Sequence, residues 1–270
     1  MKLQELNNKE LPLTDLCKIG QKFQTDKPGY GYTRIYYEIM KDKRDEPVNF
    51  FEIGIYFGAS LKMWNEFFQK GTICGIDNGR LLPGSGILVG GMDGTKIDVL
   101  SADDVKLLQP NAKVDYERGF DWIEGDRVKC AVADQRSKKQ LSDAFDHFKC
   151  SEFDYILDDG QHWQEHQQKT LGILFSKVKS GGYYIIEDIA TQYDLQNGVM
   201  WGQRKNDASD STDAIFKEYL KTGVLESRYI TDDQVDYILD NIDDIFMYGA
   251  KGKNNSPIVG HSKLLIIKKK

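Results

Sequence analysis

The sequence predicts an α/β fold with a mostly parallel sheet and an antiparallel hairpin at its end. Two observations carry this. Between Phe153 and Tyr193, two short apolar runs, Tyr155-Ile156-Leu157 and Tyr183-Tyr184-Ile185-Ile186, flank a helical pattern and the Gly181-Gly182 turn. Two such runs joined by a helix make a βαβ unit with parallel neighbouring strands. The chain then closes on two more strand-like runs, Ile245-Phe246-Met247-Tyr248 and Lys263-Leu264-Leu265-Ile266-Ile267, which suit a hairpin with a long connection. At 270 residues the chain is long enough for one such domain, spanning 1–270, with a substantial core.

Residues 1–47 read as a polar, largely helical cover. Thr14 and Asp15 sit where a short helix is capped, and Tyr32, Ile35 and Tyr36 have helical spacing that turns them toward a core. Asp26, Lys27 and Tyr32 read as pocket wall only as the weaker alternative. Asn49 to Ile53 is a strand that runs into Gly54-Ile55-Tyr56-Phe57-Gly58-Ala59-Ser60 and a helix from Leu61 to Phe68. Glycines at 54 and 58 let the backbone turn sharply and approach a ligand at the helix start, where Ser60 is small and polar. This is not the dinucleotide fingerprint, because Tyr56 stands at its middle glycine.

The next strand, Thr72 to Ile76, ends in Asp77, about 25 residues after Glu52, near the spacing of an acid that holds ribose hydroxyls. This points to an adenosine-type ligand without separating NAD from S-adenosylmethionine. Residues 78–125 have no clear period and read as an inserted lid or oligomer contact. A strand over 127–132 leads to Asp134-Gln135 and a helix over 138–148. Asp134 is placed either to meet an adenine amino group or to cap that helix. Residues 194–212 read as a mobile loop over a site, 213–222 as a helix, and Arg228-Tyr229-Ile230 as a short strand.

Composition narrows the function. The net charge is −6 and the isoelectric point about 5.4, which disfavours a main role in gripping nucleic acid. The four cysteines are scattered without a CxxC pair, as expected of buried free thiols in a reducing cytoplasm. No run reaches membrane-spanning length.

The chemistry gathers at the strand ends of the central unit. The first strand ends in Asp158-Asp159, the second in Glu187-Asp188. Ligands of open α/β sheets bind outside the carboxyl ends of the strands. Carboxylates brought together there repel unless a cation joins them, and an all-oxygen set suits Mg²⁺ or Mn²⁺. Capping and ion pairing would explain one such acid more readily than two adjacent pairs. Asp159, Glu187 and Asp188 are therefore the candidate metal ligands, with Asp158 behind them. His162, three residues past Asp159, is placed to take a proton. His162 to His166 also matches HxxEH, but it follows a strand rather than lying within a long helix, which argues against a zinc protease.

Together, Glu52-Ile53-Gly54 with Gly58-Ala59-Ser60, Gly75-Ile76-Asp77, Asp134-Gln135, Asp158-Asp159-Gly160-Gln161-His162 and Gly181-Gly182 through Glu187-Asp188 resemble the metal-dependent class I methyltransferases of macrolide-sugar O-methylation. Thr25-Asp26-Lys27 and the tyrosines after it resemble that family's N-terminal region, so the likeness runs from about residue 23 to 193. Gln161 stands where the family usually has serine. The resemblance implies a Rossmann-like class I methyltransferase sandwich. It also implies S-adenosylmethionine in the glycine-loop cleft, held by Glu52, Gly54, Gly58, Ser60, Asp77, Asp134, Gln135 and Asp158. Mg²⁺ or Mn²⁺ would sit on Asp159, Glu187 and Asp188, with His162 as base. The acceptor would be a sugar-containing small molecule, with no nucleic acid or membrane partner, and the cytoplasmic enzyme would be a homo-oligomer. A catechol-type O-methyltransferase shares this metal logic. An NAD-dependent oxidoreductase shares Glu52 and Asp77 but leaves the Glu187-Asp188 pair unexplained.

Overall fold

The structure, a computed structural model, describes residues 3–8, 11–56, 58–77, 113–115, 122–124, 127–190, 208–249 and 263–270. After a 3₁₀ turn (Leu3–Asn8) come α1 (Asp15–Lys22), α2 (Tyr32–Met40), β1 (Asn49–Ile53), α3 (Ala59–Phe67) and β2 (Thr72–Asp77). Then follow β3 (Lys113–Asp115), β4 (Trp122–Glu124), β5 (Val128–Val132), α4 (Lys138–Phe148), β6 (Phe153–Asp158) and α5 (Gln164–Leu174). The chain closes with β7 (Val178–Ile186), α6 (Thr212–Thr222), α7 (Asp232–Asn241), β8 (Ile242–Gly249) and β9 (Lys263–Lys269).

Among the described residues the strands form one nine-stranded sheet in the order β3-β4-β5-β2-β1-β6-β7-β9-β8. The five from β5 to β7 are mutually parallel. β9 joins β7, and β8 joins β9, both antiparallel, which is the expected terminal hairpin.

Alternation of side chains along each strand divides the core in two. Phe50, Tyr155, Leu157 and Ile185 face one layer with α1, α2 and α3. Phe51, Ile53, Phe153, Ile156, Tyr184 and Ile186 face the other with α4, α5, α6 and α7. Both layers need strands that are apolar throughout, and β6 is buried at every position. Thr14 caps α1 by accepting the Cys17 N–H at 3.3 Å, as its sequence position predicts.

The order of connections reverses between β1 and β6, and ligands of open α/β sheets bind outside the strand ends at such a point. Register aligns those ends, with Ile53 opposite both Ile76 and Asp158, and Asp158 opposite Ile186. The ladder continues one residue further. Gly54 N–H donates to Ile76 O (2.8 Å), Asp159 N–H to Ile53 O (2.9 Å) and Glu187 N–H to Asp158 O (2.9 Å). Gly54, Asp159 and Glu187 thus lie in one row across the sheet's end.

Three expectations change. Arg228-Tyr229-Ile230 forms bends, not a strand, and leads into α7, which the sequence reading missed. The cue was present, because Thr231 and Gln234 make a reciprocal capping box. The region 78–125, which shows no clear period in the sequence, contributes β3 and β4 at the sheet edge. Its remaining residues, residues 194–207 of the expected mobile loop and most of the hairpin connection lie outside the described residues.

Gly54 has φ of 90°, and a Cβ there would lie 2.2 Å from the Asp159 carbonyl oxygen. Backbone on both sides leaves nothing flexible to yield. Gly54→Ala should therefore cost about 2–4 kcal/mol by urea denaturation. Gly181→Ala, at φ 75° with nothing within 4 Å, should cost only about 1 kcal/mol. Equal losses would contradict the close approach of the two turns.

Candidate functional site

The row of strand ends carries an acidic cluster with a lysine inside it. Lys27, in the turn before α2, is 1 % exposed, and its Nζ lies 2.5 Å from Asp159 Oδ2, 2.7 Å from Glu187 Oε1 and 3.9 Å from Glu52 Oε1. Tyr32 and Tyr36 are four residues apart, hence on one face of α2. The Tyr36 hydroxyl donates to Glu187 Oε1 at 2.6 Å. The Tyr32 hydroxyl donates to Asp188 Oδ1 at 2.9 Å. The helical cover thus reaches into the site.

Ligating atoms of Asp159, His162 and Asp188 all lie within 4.8 Å of one another. His162 Nε2 is 3.8 Å from Asp188 Oδ2. Asp188 has a φ of 53°, a left-handed conformation that aspartate tolerates better than most side chains. The two carboxylates, from the turns after β6 and β7, offer oxygens that suit Mg²⁺ or Mn²⁺, with the His162 imidazole beside them. Glu187, the third predicted ligand, lies outside this converging group, with its Oε1 accepting from Lys27 and Tyr36.

Burial governs the charges. It pushes Glu187 well above the usual carboxylate range, helped by the Asp159 charge and opposed by Lys27. It also raises Asp188, opposed by His162. For Lys27, burial alone would lower the pKa, but Asp159, Glu187 and Glu52 outweigh it and hold the ammonium well above its ordinary value.

The predicted cofactor residues divide into two sets. Asp77 Oδ2 accepts the backbone N–H groups of Ile55 and Tyr56 at 3.0 and 3.1 Å, so it fixes the glycine turn. Gly58 caps α3 at φ 71°. Asp134 is half-exposed and is not the cap of α4. Its carboxylate instead pairs with Arg136 (2.8 Å) and accepts the Arg136 N–H, while Ser137 caps the helix.

The second set is buried beneath the strand-end turns. Glu52 is fully buried and accepts the Ser60 hydroxyl at 2.9 Å. Gln135 is also buried. Its Nε2 donates to both oxygens of Asp158 (3.2 and 3.3 Å) and to Thr170 Oγ1 (3.0 Å), and its Oε1 accepts the Gln161 N–H at 2.9 Å. Burial raises Asp158 to about 7. This network ties the turn after β5 to the turn carrying Asp159 and His162.

Sequence reasoning gave Lys27, Tyr32 and Tyr36 little weight. Only the Thr25-Asp26-Lys27 stretch and the tyrosine spacing hinted at them. Among the described residues the formal HxxEH motif forms no metal-binding group: Glu165 pairs with Lys169 at 2.8 Å, and His166 packs edge-on against Trp163.

No protein-family profile matches the chain. It is 30% identical over 190 residues to the 8-demethyl-8-(2-methoxy-alpha-L-rhamnosyl)-tetracenomycin-C 3'-O-methyltransferase of Streptomyces olivaceus, a match covering 66% of this chain and 38% of that protein. It is 27% identical over 188 residues to the mycinamicin VI 2''-O-methyltransferase of Micromonospora griseorubida, covering 66% of this chain and 37% of the relative. The demethylmacrocin O-methyltransferase of Streptomyces fradiae matches to the same extent. The chain therefore spans less than two-fifths of these relatives' length. In fold it is similar to the MycE methyltransferase of the mycinamycin pathway, solved with Mg and SAH. The TM-score is 0.59 at 21% identity, over 96% of this chain and 55% of that one.

Glu52 provides a pH test. Burial lifts its pKa from 4.5 to about 7 in spite of Lys27. Between those values the unfolded chain releases the proton and the folded chain keeps it, so stability falls as pH rises. Urea titrations from pH 5 to 8 should show that fall reduced by about 3 kcal/mol in Glu52→Gln. Parallel curves for the two proteins would contradict the assignment.

Proposed function

We propose that this chain, a relative of the sugar O-methyltransferases with the class I methyltransferase fold, methylates a sugar hydroxyl of a small molecule. S-Adenosylmethionine would be the donor and a divalent cation the aid. The observation that carries the reading is the convergence of Asp159, His162 and Asp188 beside the glycine turn at the reversal point of the sheet. The relatives supply the acceptor class. Their names specify O-methylation of a rhamnosyl-tetracenomycin, of mycinamicin VI at its 2'' position and of demethylmacrocin.

Gly54 and Gly58 let the backbone pass close to the donor, and Asp77 keeps the turn between them in shape. Asp77 and Asp134 are the acids for ribose and adenine, with Gln135 fixing the turn on which Asp134 sits. Glu52, Ser60 and Asp158 support that surface from within. Asp159 and Asp188 are the cation ligands that the geometry favours. Glu187, the third acid of the sequence reading, has Oε1 committed to Lys27 and Tyr36 and stands behind them.

A sugar hydroxyl is a poor nucleophile, since its pKa lies far above neutral. When bound, the dication would supply positive charge beside the acceptor oxygen and ease loss of its proton. His162 takes that proton, and Asp188 Oδ2, 3.8 Å from Nε2, steadies the imidazolium. The oxygen attacks the methyl carbon in line, the carbon–sulfur bond breaks, and the sulfonium becomes a neutral thioether. Rigid turns after β1, β6 and β7 supply the alignment on which much of the rate depends.

His162→Ala should retain donor binding by calorimetry and lose about 10²–10⁴-fold in kcat. Methyl transfer from labelled donor to a panel of nucleotide sugars and glycosylated natural products, read by mass spectrometry, should stop with chelator and return with Mg²⁺. Full turnover in metal-free protein would remove the cation from the mechanism. Equal loss of binding and turnover in His162→Ala would make that residue structural.

A further inference from the structure

We propose that Lys27 is a positioning residue for the cation site, an internal counter-cation that keeps the carboxylates of β1, β6 and β7 assembled for the dication. The role rests on the metal reading above, while the geometry stands without it. Lys27 is 1 % exposed, and its ammonium holds Asp159 at 2.5 Å and Glu187 at 2.7 Å, with Glu52 at 3.9 Å. These acids come from three separate strand ends. Asp188 adds a fourth carboxylate, tied to Tyr32 at 2.9 Å.

Such a cluster would push itself apart without a resident positive charge. A single lysine carries three N–H donors on a compact charge, enough to hold two carboxylates at hydrogen-bond distance and attract a third. Because Lys27 binds Asp159 Oδ2 and Glu187 Oε1, each acid is held by one oxygen. Tyr36, also donating to Glu187 Oε1 at 2.6 Å, secures the same oxygen from α2. The ion then meets carboxylates that are already oriented, and only part of their charge is open to it.

The test is thermal melting of the wild type, Lys27→Met, Lys27→Arg and Asp188→Asn, each in chelator and in Mn²⁺. Without metal, Lys27→Met should melt about 10 °C below wild type, because uncompensated buried carboxylates remain. Mn²⁺ should restore at least half of that loss by replacing the missing charge. Lys27→Arg should stay near wild type in both conditions. A purely structural lysine would instead give the same deficit with and without Mn²⁺. That result, or wild-type melting of Lys27→Met in chelator, overturns the proposal.

The Lys27→Met/Glu187→Gln double variant removes both charges and should melt above Lys27→Met in chelator. If the single variant does not fold, a cooperative melt of the double variant supports the role, and a double variant that also fails to fold or to recover overturns it. Asp188→Asn separates the underlying reading. An undiminished Mn²⁺ shift in that variant, or no shift in wild type, defeats the metal assignment, and the double variant in chelator then decides the role of Lys27 alone.

Discussion

The burial of one ammonium among carboxylates from three strand ends is the constraint on which the rest of the arrangement depends. An isolated buried charge costs several kcal/mol, and breaking a buried pair costs about 3–5 kcal/mol. Lys27 is therefore tolerable inside only if Asp159 and Glu187 stand where they do, and those acids are tolerable only if Lys27 is there. This mutual requirement couples an N-terminal turn to the ends of β6 and β7, more than a hundred residues away in the chain. It also explains why α2 presents two tyrosine hydroxyls inward: each satisfies a carboxylate oxygen that burial removes from water.

Sheet geometry does the remaining alignment. Parallel pairing of β1, β6 and β7 brings their last residues level. One more rung of backbone hydrogen bonds then sets Gly54 against Asp159. A side chain at 54 would collide with the Asp159 carbonyl, so the absence of Cβ allows the turns after β1 and β6 to touch. Gln135 performs the matching task on the other side, joining Asp158 and the Gln161 amide to the turn after β5. The proposed methyl transfer depends on alignment, and such contact between neighbouring turns would provide it.

The parallel core was legible because its strands are short, apolar and punctuated by acids or glycines, and because the helices between them keep their spacing. His162, Asp159 and Asp188 were legible for the same reason: each follows a recognisable strand at a fixed offset. Lys27 was not, since a lysine in a polar stretch normally lies in water, and its burial depends on acids distant in sequence. α5 shows the same limit in another form. Its glutamines Gln167 and Gln168 are buried because they bond the Glu187 and Asp210 carbonyls, which a hydrophobic period cannot reveal. Of the two readings of Asp134, the helix cap fails, because Ser137 is nearer the first turn and takes that position.

The chain spans only part of the length of its curated relatives, and the described residues contain no helix long and apolar enough to cross a membrane. The proposed chemistry turns on a small volume, the space among Asp159, His162 and Asp188. The most direct measurement is an anomalous difference map from crystals grown with Mn²⁺ and S-adenosylhomocysteine. The account predicts one peak bonded to Asp159 and Asp188, beside the bound thioether, with Lys27 still on Glu187. A peak elsewhere, or none at that place with the thioether bound, would contradict it.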